Sequence, residues 1–408
     1  MIKQVLIFES YFVFLIASSF LSYFTSSGVV SFGLPILSSF FVLIYFLLMQ
    51  LKINRHDWLI LFFYISFTSL CFFYYYLNPY KGYIISQHVI FILTFPFSYL
   101  CLVGLGKDFS KQDFLKFFNK IIIFFALGQV FVTLGQFSHY VYGVGFKVIE
   151  DYQNIMMISG TFYNSNDLAV VVVLMAFVFK YTYQYLTRIQ SLLIWSIFAY
   201  LLIVTGSRVC IFLFFIILFS LGSFTYKKIF LTLVSVVSTL ALIIILGNFE
   251  VDVDHPFYRI IGRINTFQAM FEYGLTSDES MSDRGEFYLY FLKNINNIGL
   301  GSGLIGDYHK YANSTFHFSP LFFTNPHSFI IEIAYWIGWL GLIIYLILYL
   351  LIVIKSNFNM LFFLISFVTL FVSSTLMGNM IYFLSVTMAC WVCYLSSRKS
   401  SKVKVSVL

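Results

Sequence analysis

Three places in the chain set polar or basic residues at the start of an apolar, helix-length run. Gly206-Ser207-Arg208 leads into Val209-Cys210-Ile211, with Ser207 a natural N-cap and Arg208 in the first turn. The stretch Gly160-Thr161-Phe162-Tyr163-Asn164-Ser165-Asn166-Asp167 leads into Leu168-Ala169 and a valine run. Asn325-Pro326-His327-Ser328 precedes Phe329, with asparagine a good N-cap and proline suited to the first helical position. Helix starts carry unpaired N–H groups and the positive end of the dipole, so they attract phosphate, and an arginine there adds bidentate charge. The chemistry that suits this pattern is an anion site.

A fourth group of candidates lies between Asn248 and Pro326, the one long polar stretch. It holds His255, His309, His317, Lys293 and Lys310. Arg259 and Arg263 are four apart, on a face with the stripe Ile260, Ile264, Phe267 and Phe271. That pattern suits a helix lying in a membrane interface with basic groups near lipid phosphates. Asp283 and Glu286 resemble a capping box, which puts Arg284 in the first turn of a second loop helix. Glu332, one turn into the run after His327, is an intramembrane carboxylate and so a functional suspect. It sits five residues from His327, roughly 140° around a helix, so the two do not share a face. Plainer readings exist: Arg208 can anchor a helix end at the headgroups, and Arg259 and Arg263 can do the same.

The elements that must position these residues are membrane helices. Of 408 residues, 60% are hydrophobic and only 10% charged, which excludes an ordinary soluble domain. Apolar runs long enough to cross a bilayer recur along the chain. They predict twelve helices, at about 5–24, 28–51, 57–77, 83–103, 114–137, 166–186, 190–206, 208–225, 228–247, 327–354, 359–376 and 380–396. The run after Lys3 is too long in its apolar core for a signal peptide and is read as the first span. The fold expected is an all-α polytopic membrane protein: one transmembrane domain over 1–408, with a loop subdomain at 248–326 inside it. Basic residues gather in alternate connections: Lys52, Arg55, Lys107, Lys111, Lys116, Lys120, Lys180, Arg188, Lys227, Lys228 and Lys355, with Lys3, Arg398, Lys399, Lys402 and Lys404 at the ends. The positive-inside rule then puts both termini in the cytoplasm and the long loop outside.

The net charge of +7 reflects this bias and does not point to nucleic acid. Several signatures lose force in the same frame. Gly301-Ser302-Gly303-Leu304-Ile305-Gly306 matches a dinucleotide fingerprint but follows no strand and faces outward. Asp252-Val253-Asp254 resembles a nucleotide-sugar metal pair on the wrong side of the membrane, and Asn313-Ser314-Thr315 is a glycosylation triplet common by chance. Cys390 and Cys393 form C-x-x-C without another soft ligand nearby, so two packed thiols are expected. The aromatic run Phe72 to Tyr76 reads as an interfacial belt, and Pro35 and Pro96 as ordinary helix prolines.

Four segments together resemble one family, the O-antigen polymerases and ligases, which includes capsule and teichuronic-acid polymerases. Gly160 through Ala169 is similar to its glycine-then-Asn-x-leucine-alanine segment, with Ser165 where proline is usual. Thr205-Gly206-Ser207-Arg208 is similar to its serine-arginine helix start. Arg284, followed by Ile298-Gly299-Leu300-Gly301-Ser302-Gly303, resembles its arginine and glycine-rich turn. Pro326-His327-Ser328-Phe329-Ile330-Ile331-Glu332 and Gly338-Trp339-Leu340-Gly341 resemble its histidine-led helix with paired glycines, with Ser328 in place of asparagine.

The resemblance implies a GT-C-like membrane glycosyltransferase acting on undecaprenyl-diphosphate-linked glycans at the outer face, inverting and independent of metal, cofactor or nucleotide sugar. It implies Arg208 and Arg284 as stabilisers of the leaving diphosphate and His327 as general base or orienter of the acceptor hydroxyl. Arg259 and Arg263 would hold lipid or diphosphate, and Asn166, Asn325 and Glu332 would line the substrate. A polymerase is favoured over a ligase because no docking module for a lipid A core is evident; a polysaccharide chain-length regulator is then an expected partner. A lipid-glycan flippase would call for charges along a mid-membrane path. A non-catalytic scaffold would leave Arg208, Arg284 and His327 dispensable.

Overall fold

The computed structural model describes residues 2–25, 33–48, 53–77, 83–146, 149–150, 156–162, 164–221, 285, 288–289, 291–293, 295–301, 328–373 and 380–397. Its helices are α1 (Ile2–Thr25), α2 (Leu34–Leu48), α3 (Arg55–Leu77), α4 (Tyr83–Asp108), α5 (Lys111–Tyr142), α6 (Ser165–Thr182), α7 (Arg188–Thr205), α8 (Arg208–Phe219), α9 (Phe329–Lys355), α10 (Met360–Thr369) and α11 (Met380–Ser397). Each falls on one of the expected segments. The ninth expected segment, 228–247, lies outside the described residues, as do most of 248–326 and the Asp252 and Asn313 motifs. A two-residue antiparallel pair, Ile149–Glu150 with Met156–Met157, ties off the α5–α6 connection.

Six described helices are long and apolar enough to cross a membrane: those within α3, α5, α6, α7, α9 and α11. Four shorter apolar helices accompany them. The fold is all-α and polytopic.

The core lies where α6 meets α11. In α6 every residue from Leu168 to Phe179 is buried, and in α11 every residue from Met380 to Cys393. A helix apolar all round, such as Val170 to Leu174 gives, is stable only when surrounded. Small residues on α11, among them Ser385, Ala389, Cys390 and Cys393, let its neighbours approach closely. All five cysteines are free and buried, Cys390 against the Ile352 carbonyl at 3.3 Å. The outer helices α2, α3, α7 and α8 present Phe40, Phe41, Phe62, Leu192 and Phe212 outward, as a lipid-facing rim requires.

Tight turns fix which helix ends share a side. Gly206, left-handed at φ 66, closes α7 and reverses the chain into α8. Asn357 and Phe358, both at positive φ, reverse α9 into α10. With the end of α10 bonded to the starts of α6 and α9 through Ser373–Asp167 and Leu370–Phe329, the starts of α6, α8 and α9 lie at one end of the bundle. At the other end lies Lys355, the last residue of α9 and one of the basic residues expected on the cytoplasmic side. Its Nζ is buried 2.8 Å from Asp57 Oδ1, and the two side chains are 5% and 3% exposed. Asp57 also accepts from Tyr99 at 2.5 Å and from Asn54 Nδ2 at 2.5 Å, while Lys355 Nζ lies over the rings of Tyr394 (4.0 Å) and Trp391 (5.0 Å). A buried ion survives only when paired and hydrogen-bonded, and this pair joins α3, α4, α9 and α11.

Breaking it should be costly: Lys355→Met is expected to lower stability by about 3–5 kcal/mol, because Asp57 is left charged and buried. The Asp57→Asn/Lys355→Met double variant should recover most of that loss in thermal melts in detergent. A single variant as stable as wild type would refute the role given to the pair.

Candidate active site at one end of the bundle

The entry to α6 is built by two glutamines that the sequence reading did not single out. Gln129 and Gln136 are seven residues apart, two turns of α5, and both are fully buried. Gln136 Nε2 donates to the Gly160 carbonyl and its Oε1 accepts from the Gly160 amide, both at 2.9 Å; Nε2 also reaches the Tyr23 hydroxyl at 3.0 Å. Gln129 does the same for Thr161, Nε2 to Oγ1 at 2.8 Å and Oε1 from the amide at 3.1 Å. Gly160 has φ +61, and a Cβ there would stand 2.2 Å from Gln129 Oε1. Only glycine fits, which gives the glycine of the Gly160–Ala169 segment a physical reason.

The loop so held ends in Asn164, whose side chain caps α6 by accepting from the Asn166 amide at 2.9 Å. Asn166 is half-buried in the first turn of α6. Its neighbour Asp167, 3% exposed, accepts a short hydrogen bond from Ser373 just beyond α10. Three residues earlier, the Leu370 carbonyl accepts from the Phe329 amide at 2.8 Å. The end of α10 thus bridges the starts of α6 and α9.

At α9 the expected cap is displaced. The helix starts at Phe329 with Ser328 as its N-cap residue, rather than with Asn325 in that place. Asn325 and His327 lie outside the described residues, as do Arg259, Arg263 and Arg284. Glu332 is in the first turn of α9 and 2% exposed. At α8 Ser207 is the N-cap residue but its hydroxyl makes no capping hydrogen bond, and Arg208 behind it is half-buried. The hydroxyls of Ser165 and Ser328, in the starts of α6 and α9, are buried without a hydrogen-bond partner. The structure thus gathers Asn166, Arg208 and Glu332 at one end, on three helix starts that point the same way.

Two glycine-rich segments that stand apart in the sequence touch. Gly338 breaks α9 with φ 68 and ψ −165. Residues 299–301 pack backbone to backbone against this break: a Cβ on Gly301 would lie 2.4 Å from the Gly338 amide nitrogen, and one on Gly338 2.3 Å from the Leu300 carbonyl carbon. The Gly299 carbonyl accepts from the Trp339 amide at 3.1 Å. Ahead of this, Phe291 meets Tyr335 edge to face (5.6 Å), and the Tyr288 hydroxyl donates to the Phe371 carbonyl at 3.3 Å.

These features define a polytopic helical membrane protein with polar and basic groups collected where three helices begin. Residues 192–346 match the family model described as O-antigen ligase, and this supports the O-antigen polymerase and ligase family for the chain. The matched segment contains every expected site residue except Asn166. No curated protein matches the chain significantly.

Gln136→Leu would leave the Gly160 amide and carbonyl buried and unpaired, each at about 1–3 kcal/mol. A marked fall in melting temperature is expected; an unchanged melt would show that the loop is held by other contacts. Gly338→Ala should be at least as damaging, since it adds left-handed strain of about 1–3 kcal/mol to a backbone clash. Folded yield by size-exclusion chromatography reads this out, and wild-type yield would refute it.

Proposed function

We propose that the chain is a GT-C-like membrane glycosyltransferase that polymerises O-antigen or capsule repeat units. It transfers a glycan from undecaprenyl diphosphate onto a second lipid-linked repeat at the outer face of the bacterial cytoplasmic membrane. The observation that carries this reading is the family match over a segment holding Arg208, Arg284 and His327, together with the common end shared by the starts of α6, α8 and α9. In this reading both termini are cytoplasmic, and residues 248–326 form an extracytoplasmic subdomain of the single membrane domain.

The reaction is an inverting displacement. The acceptor hydroxyl oxygen attacks the anomeric carbon as the bond from that carbon to the diphosphate oxygen breaks. The leaving diphosphate keeps the electron pair. Arg208 and Arg284 stabilise the charge growing on it, helped by the N–H groups of the helix starts. His327 takes the hydroxyl proton, a task for which a neutral imidazole is suited near pH 7, and passes it to the released diphosphate or to water. Arg259 and Arg263 hold the lipid-linked diphosphate from the loop; Asn166, Asn325 and Glu332 orient the sugars. Charge on the leaving group is neutralised by arginine, so the scheme uses no metal and no cofactor. A chain-length regulator is the expected protein partner, and nucleic acid is not one.

The family description itself favours a second reading, a ligase that passes finished polymer to a lipid A core or another acceptor. The leaving-group chemistry is the same, and only the acceptor differs. A lipid-glycan transporter fits less well, because Arg208 stands at a helix start rather than along a mid-membrane path.

The test is the purified protein in lipid nanodiscs with undecaprenyl-diphosphate-linked repeat as sole substrate, followed by product size on a gel. A ladder is expected, and Arg208→Ala or Arg284→Ala should each slow it by about 10²–10³-fold. Product that forms only when a lipid A core is added would replace polymerase by ligase. No product with either acceptor would defeat both.

A further inference from the structure

The aromatic run closing α3 reads in sequence as a lipid-interface belt, and Phe73 and Tyr76 fit it, being 57% and 76% exposed. Tyr74 does not. It is half-buried, and its hydroxyl donates a short hydrogen bond to the Leu300 carbonyl, 226 residues along the chain. Leu300 lies between the two glycines packed against the break in α9, where the Gly299 carbonyl takes the Trp339 amide that an unbroken helix would bond internally. Broken helices are tolerated at membrane depth only where another group takes up the freed backbone polar atoms. Here that group is the base of the long loop, and Tyr74 holds the base from the far side.

We propose that Tyr74 is a positioning residue: with the Gly299–Trp339 hydrogen bond and the Gly301–Gly338 backbone contact, it locks the loop base onto α9 as a fixed anchor that stays docked through turnover. The proposal rests on the glycosyltransferase reading above, since it is the start of α9 that such an anchor keeps in register. Three observations set this apart from ordinary packing. The contact is backbone on backbone, so it has no side-chain slack. Both glycines are left-handed, Gly301 at φ +80 and Gly338 at φ +68, so the geometry is specified by residue type. Finally, residues 299–301 and the nearby Tyr288 bond three separate helices: the end of α3 through Tyr74, the interior break of α9 through Trp339, and the end of α10 through the Phe371 carbonyl. The end of α10 is the same segment that bridges α6 and α9 through Ser373 and Leu370.

The test pairs Tyr74→Phe with a tethered variant. Tyr74→Phe removes one oxygen and keeps the ring. It is expected to lower kcat for repeat-unit transfer roughly tenfold, as misplacement of reacting groups by a fraction of an ångström does, with KM and melting temperature little changed. A Tyr74→Cys/Leu300→Cys variant, closed with a short bis-maleimide, should regain most of the wild-type kcat; the five native cysteines are buried and leave the new pair as the reactive one. Unchanged kcat in Tyr74→Phe would overturn the positioning role. Activity lost on closing the tether, with the open form active, would show that the loop base must leave α9. Amide hydrogen exchange at Gly301 and Trp339, faster in Tyr74→Phe than in wild type, is a readout independent of catalysis. If the wild type transfers nothing, the functional reading fails on its own, while unchanged exchange would separately refute the anchor.

Discussion

A buried ion pair sets the frame on which the rest of this bundle depends. Asp57 and Lys355 are 298 residues apart, and neither carries its charge into water. In a low-dielectric interior each is tolerable only because the other is 2.8 Å away and because Tyr99, Asn54 and two aromatic rings complete the surroundings. That requirement fixes the start of α3 against the end of α9. With α9 so fixed, its broken upper part is fixed too, and Tyr74 at the far end of α3 meets the loop that fills the break. One charge pair at one end and one backbone contact at the other hold the same two helices in register.

The same rule, that polar groups inside a membrane must find partners within the protein, explains the candidate site. The Gly160–Thr161 backbone enters the bundle without helical hydrogen bonds of its own, and two buried glutamines satisfy it. Asp167 is matched by Ser373 and the Phe329 amide by Leu370. These bonds join α5, α6, α9 and α10 around one end, so the helix starts that favour anions are held by a polar framework rather than by apolar packing alone. In the reaction proposed above this would matter, because preorganised donors act without reorganising during the reaction.

Much of this was legible in the amino-acid order. Every described helix falls on an apolar run, since twenty residues without charge have few other fates. The helix-start motifs with Gly160, Ser207-Arg208 and Glu332 were visible because capping and charge at helix ends are local properties, and the family match over 192–346 agrees with the motifs read there. Local reasoning erred where a distant partner intervened. Ser207 makes no capping hydrogen bond, α9 starts four residues past the asparagine expected to cap it, and the Tyr74 hydroxyl bonds the Leu300 carbonyl. Lys355 reads in sequence as one more basic residue at a helix end; its burial against a carboxylate nearly 300 residues away is visible only in the structure.

Sequence alone therefore determined the class, the number and placing of most helices, and which helix starts carry polar or charged residues, because hydrophobic length, caps and dipoles act within a few residues. Tertiary structure decided which ends meet: that Gln129 and Gln136 hold the α6 entry, that Ser373 reaches Asp167, and that Gly299 to Gly301 fill the break at Gly338. Those pairings depend on burying polar groups between segments far apart in the chain, and no window of residues records where its distant partner will lie.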